Sequence, residues 1–213
     1  KPRRQSKNRD MRRLLLPALL LALTLGSAAP AAAEAVEVEA AAKPLNAEAP
    51  EETRVGRLRW RGTLELSSGD PRFGGYSGLL LGADGRELLE VSDKGTWLRG
   101  RLAFDASDRL IVFGEAEILP LLDGEGRPLG GKQEGGDAEG LDRDAEGRIL
   151  VSFERAHRIL AYAHPEAPGI ELATGFGLPP GGNEGVEALA SLPPGDRLLA
   201  LVEGEAEEPG RGL

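Results

Sequence analysis

The strongest constraint on this chain is a short unit that recurs three times with its turn glycine and acidic residues at fixed spacing. The first copy runs from Gly75-Tyr76-Ser77-Gly78-Leu79 through Asp84-Gly85 to Val91-Ser92-Asp93. The second runs from Asp137-Ala138-Glu139-Gly140-Leu141 through Glu146-Gly147 to Ser152-Phe153-Glu154. The third runs from Gly185-Val186-Glu187-Ala188-Leu189 through Pro194-Gly195 to Leu201-Val202-Glu203. Ser77, Glu139 and Glu187 each precede the turn glycine by eight residues, and Asp93, Glu154 and Glu203 follow it by eight, seven and eight. Strand, glycine turn and strand make a β-hairpin, and residues equidistant from the turn become cross-strand neighbours. Simple counting therefore predicts Ser77 opposite Asp93, Glu139 opposite Glu154 and Glu187 opposite Glu203.

The rest of the chain agrees with a β fold. Thirty glycines and 15 prolines in 213 residues punctuate it at short intervals, which favours short strands and tight turns. Leu58, Trp60, Leu64 and Leu66 alternate with polar residues, so one half-buried strand is predicted over 57–66. No three-turn apolar helical stripe follows the N-terminal segment. Units starting 62 and 48 residues apart suit four-stranded propeller blades with long loops. The expected fold is all-β, a propeller-like repeat of antiparallel hairpins forming an incomplete, C-terminally truncated ring over 54–213.

The N-terminus reads as an address. Met11 and Arg12-Arg13 precede an apolar run from Leu14 to Leu25, and Ala31-Ala32-Ala33 supplies a small-residue cleavage pattern. This predicts upstream read-through over 1–10, a signal peptide over 11–33, and a periplasmic or secreted protein without a stable membrane span after cleavage near Ala33. Residues 34–53, rich in Ala, Glu and Pro, read as a flexible linker. There is no cysteine, hence no disulfide framework.

Charge narrows the partners. The chain carries net −9, but residues 1–33 hold seven Lys and Arg against one Asp, leaving −15 on the remainder. Such a field repels nucleic acid and favours cations. A small-molecule substrate, such as a phosphorylated one, and a monomeric state are expected.

Equivalent hairpin ends at one face of a ring would bring the acidic residues together in an oxygen-rich site of the kind calcium prefers. The candidate metal set is Asp93, Asp137, Glu139, Glu154, Asn183, Glu187 and Glu203. Glu139 and Glu187 are also candidate catalytic groups, with Lys94 and Arg155 as candidate phosphate clamps beside Asp93 and Glu154. The plainer reading, solvated acids at strand ends, explains any one position better than it explains the joint recurrence. A serine triad fits poorly, because Gly75-Tyr76-Ser77-Gly78-Leu79 lacks the last glycine of the nucleophile elbow and only His157 and His164 are available as bases. Two histidines and no cysteine make no standard zinc site.

Several stretches resemble, in order, the phytase-like family described by "esterase-like activity of phytase". They are Arg72-Phe73-Gly74-Gly75-Tyr76-Ser77-Gly78-Leu79, Val91-Ser92-Asp93-Lys94-Gly95 with Trp97-Leu98, and Asp137-Ala138-Glu139-Gly140-Leu141. Val151-Ser152-Phe153-Glu154-Arg155 with His157-Arg158-Ile159 follows, then Asn183, Gly185-Val186-Glu187-Ala188-Leu189 and Glu203. The resemblance covers about residues 57–205 and implies an exported bacterial β-propeller that hydrolyses phosphoric or other esters. Two alternatives stand beside a calcium-assisted hydrolase: a non-catalytic binding propeller with structural calcium, and a calcium-dependent lactonase-like enzyme.

Overall fold

A computed structural model describes residues 32–177, 185–192 and 197–203. The first strands are β1 (Glu34–Ala35), β2 (Glu39–Lys43), β3 (Arg54–Val55), β4 (Leu58–Arg59) and β5 (Thr63–Ser67). Then come β6 (Tyr76–Leu81), β7 (Glu87–Ser92), β8 (Thr96–Phe104) and β9 (Leu110–Pro120). After a 3-10 turn at Lys132–Glu134 follow β10 (Ala138–Arg143), β11 (Ile149–Phe153), β12 (Arg158–Tyr162) and β13 (Ile170–Thr174). The last two are β14 (Val186–Leu192) and β15 (Arg197–Val202). The fold is all-β. Antiparallel pairing gives a five-stranded sheet β1-β9-β8-β7-β6, a four-stranded sheet β10-β11-β12-β13, and the separate pairs β14-β15, β2-β5 and β3-β4. None of these sheets closes on itself, an arrangement consistent with part of a propeller-like fold.

Local chemistry fixes the turns. Asp105, Asp123 and Asp144 each accept the backbone N–H of the arginine four residues on, Arg109, Arg127 and Arg148, at 2.9, 2.9 and 2.8 Å. The residue just before each arginine is left-handed, with φ of 61° at Asp108, 78° at Gly126 and 82° at Gly147. An aspartate that mimics a turn carbonyl, followed by a residue tolerant of positive φ, specifies a tight reversal.

The sheets stack face to face. Between the five- and four-stranded sheets lie Val91, Trp97, Leu119, Leu121, Ala138, Leu141, Ile149, Val151, Phe153, Leu160 and Tyr162. On the other side of the first sheet, Leu88, Leu98, Phe113 and Ile118 pack beneath Val36, Val38, Leu64 and Leu66. On the other side of the second, Leu150, Ile159 and Ala161 meet Leu189 of β14. All five residues of β11 are buried, as a strand covered on both faces requires.

Consecutive hairpins are locked at the same point of the repeat. A Cβ on Gly78 would lie 2.6 Å from Cβ of Leu141, and one on Gly140 would lie 3.3 Å from Cγ of Leu189. The small residue of one unit thus receives the leucine of the next. Ser152 adds a polar link, since its Oγ accepts the Gly140 N–H at 2.8 Å and donates to the Val186 carbonyl at 2.6 Å. The Asp142 carboxylate also accepts the Ser191 N–H.

Three sequence expectations need correction. The cross-strand register differs by two residues from simple counting. The backbone N–H groups of Asp93, Glu154 and Glu203 donate to Gly75, Asp137 and Gly185, each at 2.9 Å. One residue of the difference arises at the turn, because the pairs Leu81–Leu88, Arg143–Ile149 and Leu192–Arg197 centre ahead of the glycine, and the other from a β-bulge in the first strand of every unit, at Ser77, at Glu139-Gly140 and at Glu187, where an extra residue has no partner. The single strand over 57–66 is split, because Gly62 turns the chain at φ 117° against Leu110, leaving β4 exposed and β5 half-buried. Residues 34–43 are not free linker. β1 pairs with β9 and β2 with β5, since edge pairing needs backbone groups and no long apolar pattern. The proposed read-through and nearly all of the signal peptide, together with Asn183 and the turn of the third unit, lie outside the described residues.

The lock makes a direct prediction. Gly78→Ala, whose Cβ would lie 2.6 Å from Leu141 Cβ, should cost about 1–3 kcal/mol, the usual penalty for overpacking. Gly69→Ala, where a Cβ meets nothing within 4 Å, should stay within about 0.5 kcal/mol of the parent. Urea unfolding followed by tryptophan fluorescence measures both, and equal costs would count against the lock.

Candidate functional site

The second hairpin brings its acidic residues into one place. One carboxylate oxygen from each of Asp137, Glu139 and Glu154 lies within 4.8 Å of the others. Asp137 is fully buried and Glu154 is 4% exposed, while Glu139 is half-buried. Ala138 and Leu141 both face the core although three residues apart, as the bulge allows, and Glu139, two residues from Asp137, shares its side by strand alternation. Gly185 closes over Glu154, with room for no side chain: a Cβ there would lie 2.8 Å from Glu154 Cγ.

The electrostatics follow from crowding. Burial, the hydrogen bond that the protonated Glu154 carboxyl donates to Asp137, and the charges of Asp137 and Glu139 push the Glu154 carboxyl up to about 7, against the opposing pull of Arg155. Burial also raises Glu139, opposed by a hydrogen bond with the Ser77 side chain and reinforced by the Glu187 and Asp137 charges. Glu187 is raised by burial and by Glu203 and Asp137. Carboxylates this close share a proton or a cation.

Two cationic groups face the cluster. Arg155 sits in the left-handed region at φ 59° in the turn between β11 and β12, and its Nε donates to Asp137 Oδ2 at 2.9 Å. Lys132 Nζ lies 3.0 Å from Asp93 Oδ2 and 3.8 Å from Asp137 Oδ1, drawing the first hairpin's acid toward the second's. Lys132 rides on a glycine-flanked loop, Gly130-Gly131-Lys132-Gln133-Glu134-Gly135-Gly136. That loop is pinned by Arg158, whose Nη2 donates to the Gly135 carbonyl at 2.6 Å while its guanidinium stacks 4.5 Å above the Phe153 ring.

The expected site residues therefore fall into tiers. Asp137, Glu139 and Glu154 form the centre, and Asp93 is joined to it through Lys132. Glu187 lies within electrostatic range and Glu203 within range of Glu187; both are exposed. Arg155 turns inward and pairs with Asp137. Lys94 does not: its Nζ donates to the Pro71 and Phe73 carbonyls at 2.9 and 2.6 Å, tying down the loop ahead of β6. Sequence reasoning missed Lys132. Its signal was a lone lysine between two glycine pairs, and nothing in its spacing from the hairpins places it beside Asp93.

The donor set suits a metal ion. Asp137 Oδ1 is buried and accepts no hydrogen bond, a costly condition that a cation relieves. Three carboxylate oxygens spanning 4.8 Å match an ion bound at about 2.3–2.6 Å from each, and all-oxygen ligation favours calcium or magnesium over softer metals.

This crowding predicts a pH dependence for the metal-free chain. The folded Glu154 carboxyl keeps its proton to about pH 7, whereas in the unfolded chain it has the ordinary glutamate value of 4.5. The folded state then binds more protons between those values, so its stabilisation is full below pH 4.5 and is lost as pH rises through 7. Thermal melts in chelator should fall across that window, and Glu154→Gln should flatten the profile. A rising wild-type profile would show that the carboxyl is ionised throughout.

Among the described residues, no helix is long and apolar enough to cross a membrane. No curated protein and no solved structure matches the chain. A family model does match, over residues 71–213, two thirds of the sequence and all three hairpins with their acidic ends. Its description is phytase-like, with esterase-like activity of phytase, which gives the chain the kind of a phytase- or esterase-like hydrolase. The chain belongs to the phytase-like family.

Proposed function

We propose that the chain is a hydrolase of phosphomonoesters or related esters, exported by its N-terminal signal and built as part of a propeller, with calcium held at Asp137, Glu139 and Glu154. The observation that carries this reading is the buried, hydrogen-bond-free Asp137 Oδ1 inside a triad of converging carboxylates. Calcium bound there supplies positive charge that polarises a phosphoryl or carbonyl oxygen of the substrate. The remaining roles belong to the chain's own side chains. Arg155, held on Asp137 and 27% exposed, places its positive charge at the rim, where it attracts an anionic substrate. Glu187 is exposed and its carboxyl is raised by burial and by the Glu203 charge, which suits it to take a proton from the attacking water. Hydrolysis of a phosphomonoester by that water gives the alcohol and inorganic phosphate.

The second reading is a binding protein in which the ion is structural. It is favoured by the way the acids tie neighbouring hairpins together, with Asp93 from the first drawn to Asp137 of the second. A substrate panel of phosphomonoesters, carboxylic esters and lactones, run with calcium and with chelator, separates the two. Glu139→Gln should lose both calcium binding and turnover. Glu187→Gln should keep calcium binding and lose turnover by about 10²–10⁴-fold, the usual worth of a general base. Calcium binding without turnover of any substrate by the wild type would leave only the structural reading. Export is checked by N-terminal sequencing of protein from the periplasm or medium, where a retained Met11 would contradict cleavage.

A further inference from the structure

We propose that Lys132 is the built-in cation of the carboxylate centre, and that a divalent ion binds by displacing its ammonium from Asp93 and Asp137. The inference rests on the metal reading above and goes beyond it, because it assigns a control on occupancy to a residue outside the ligand set. The Lys132 ammonium lies 3.8 Å from the orphaned Asp137 Oδ1, too long for a hydrogen bond but close enough to supply charge. Its firmer contact, 3.0 Å to Asp93 Oδ2, lies at the edge of the cluster. Lys132 thus neutralises the centre without filling it.

The geometry also makes the lysine removable. Its side chain is 47% exposed, so the ammonium can exchange into water without breaking the core. An exposed ion pair of this kind is weak, so an ion of twice the charge outcompetes it readily. The loop that carries it is held elsewhere. A Cβ on Gly95 or Gly136 would overlap the Gly130 carbonyl, so the loop's base packs directly on the turn between β7 and β8. Arg158 fixes the far end at Gly135. Only the lysine side chain need move.

Calorimetric titration of the full chain with calcium chloride, with melts in chelator and in calcium, tests this. Lys132→Met should raise calcium affinity by about fivefold while lowering the melting temperature in chelator, since the carboxylates lose their only partial compensation from this loop. Lys132→Arg keeps the charge and should bind calcium within about twofold of the wild type. Lys132→Gln serves as a second neutral variant with a hydrogen-bonding head. A lysine that is merely structural would lower the melting temperature equally in both conditions and leave affinity unchanged or reduced, and that result overturns the proposal. If the wild type and the neutral variants all fail to bind calcium, the metal reading itself has failed, and this inference with it.

Discussion

The contact on which the structure depends is the seating of one hairpin's leucine in the space left by the previous hairpin's glycine. Leu141 occupies the gap at Gly78, and Leu189 the gap at Gly140. Both contacts lie at the β-bulge, so the residue that makes close stacking possible adjoins the one that points toward the acidic centre. Interiors are close-packed, and a gap that fits a leucine beside a glycine leaves little room for sliding. Stacking distance and acid placement are therefore set by the same few atoms.

From that lock follow the burial and the charge problem together. Stacking covers both faces of β11, which carries Glu154 out of solvent at its end and buries Asp137 opposite. Two carboxyl groups without water, joined by a third from the bulge, cannot all remain ionised without compensation. Arg155 meets part of the deficit, at the cost of a left-handed backbone, and Lys132 meets part of it from across a loop. Backbone strain concentrated at such a point is characteristic of functional sites. The same cluster would serve a structural ion or a catalytic one, since both need hard oxygen donors in a dry setting.

Much of this was legible in the sequence. Period-two alternation and glycine spacing gave the hairpins, and the recurrence of acid at fixed distance from each turn pointed to Asp137, Glu139 and Glu154. The register was not legible, because a bulge adds one residue without altering composition; Gly78, Gly140 and Ala188 at the same place were its only trace. Nor were the short strands at Glu34–Ala35 and Glu39–Lys43, which pair through backbone alone. Lys94 and Lys132 show the limit clearly. The lysine adjacent to an acid in sequence binds backbone carbonyls, and the lysine 39 positions away from Asp93 pairs with it.

The sequence by itself determined that the chain folds as antiparallel hairpins and that each hairpin end carries acid, because alternation, turn glycines and charge are local properties. The tertiary structure alone decided which acids meet, which cations face them and which carboxyl stays protonated. Those outcomes depend on distances between hairpins. The distances are set by how closely two sheets approach, and that approach is governed by a leucine resting on a glycine from another repeat.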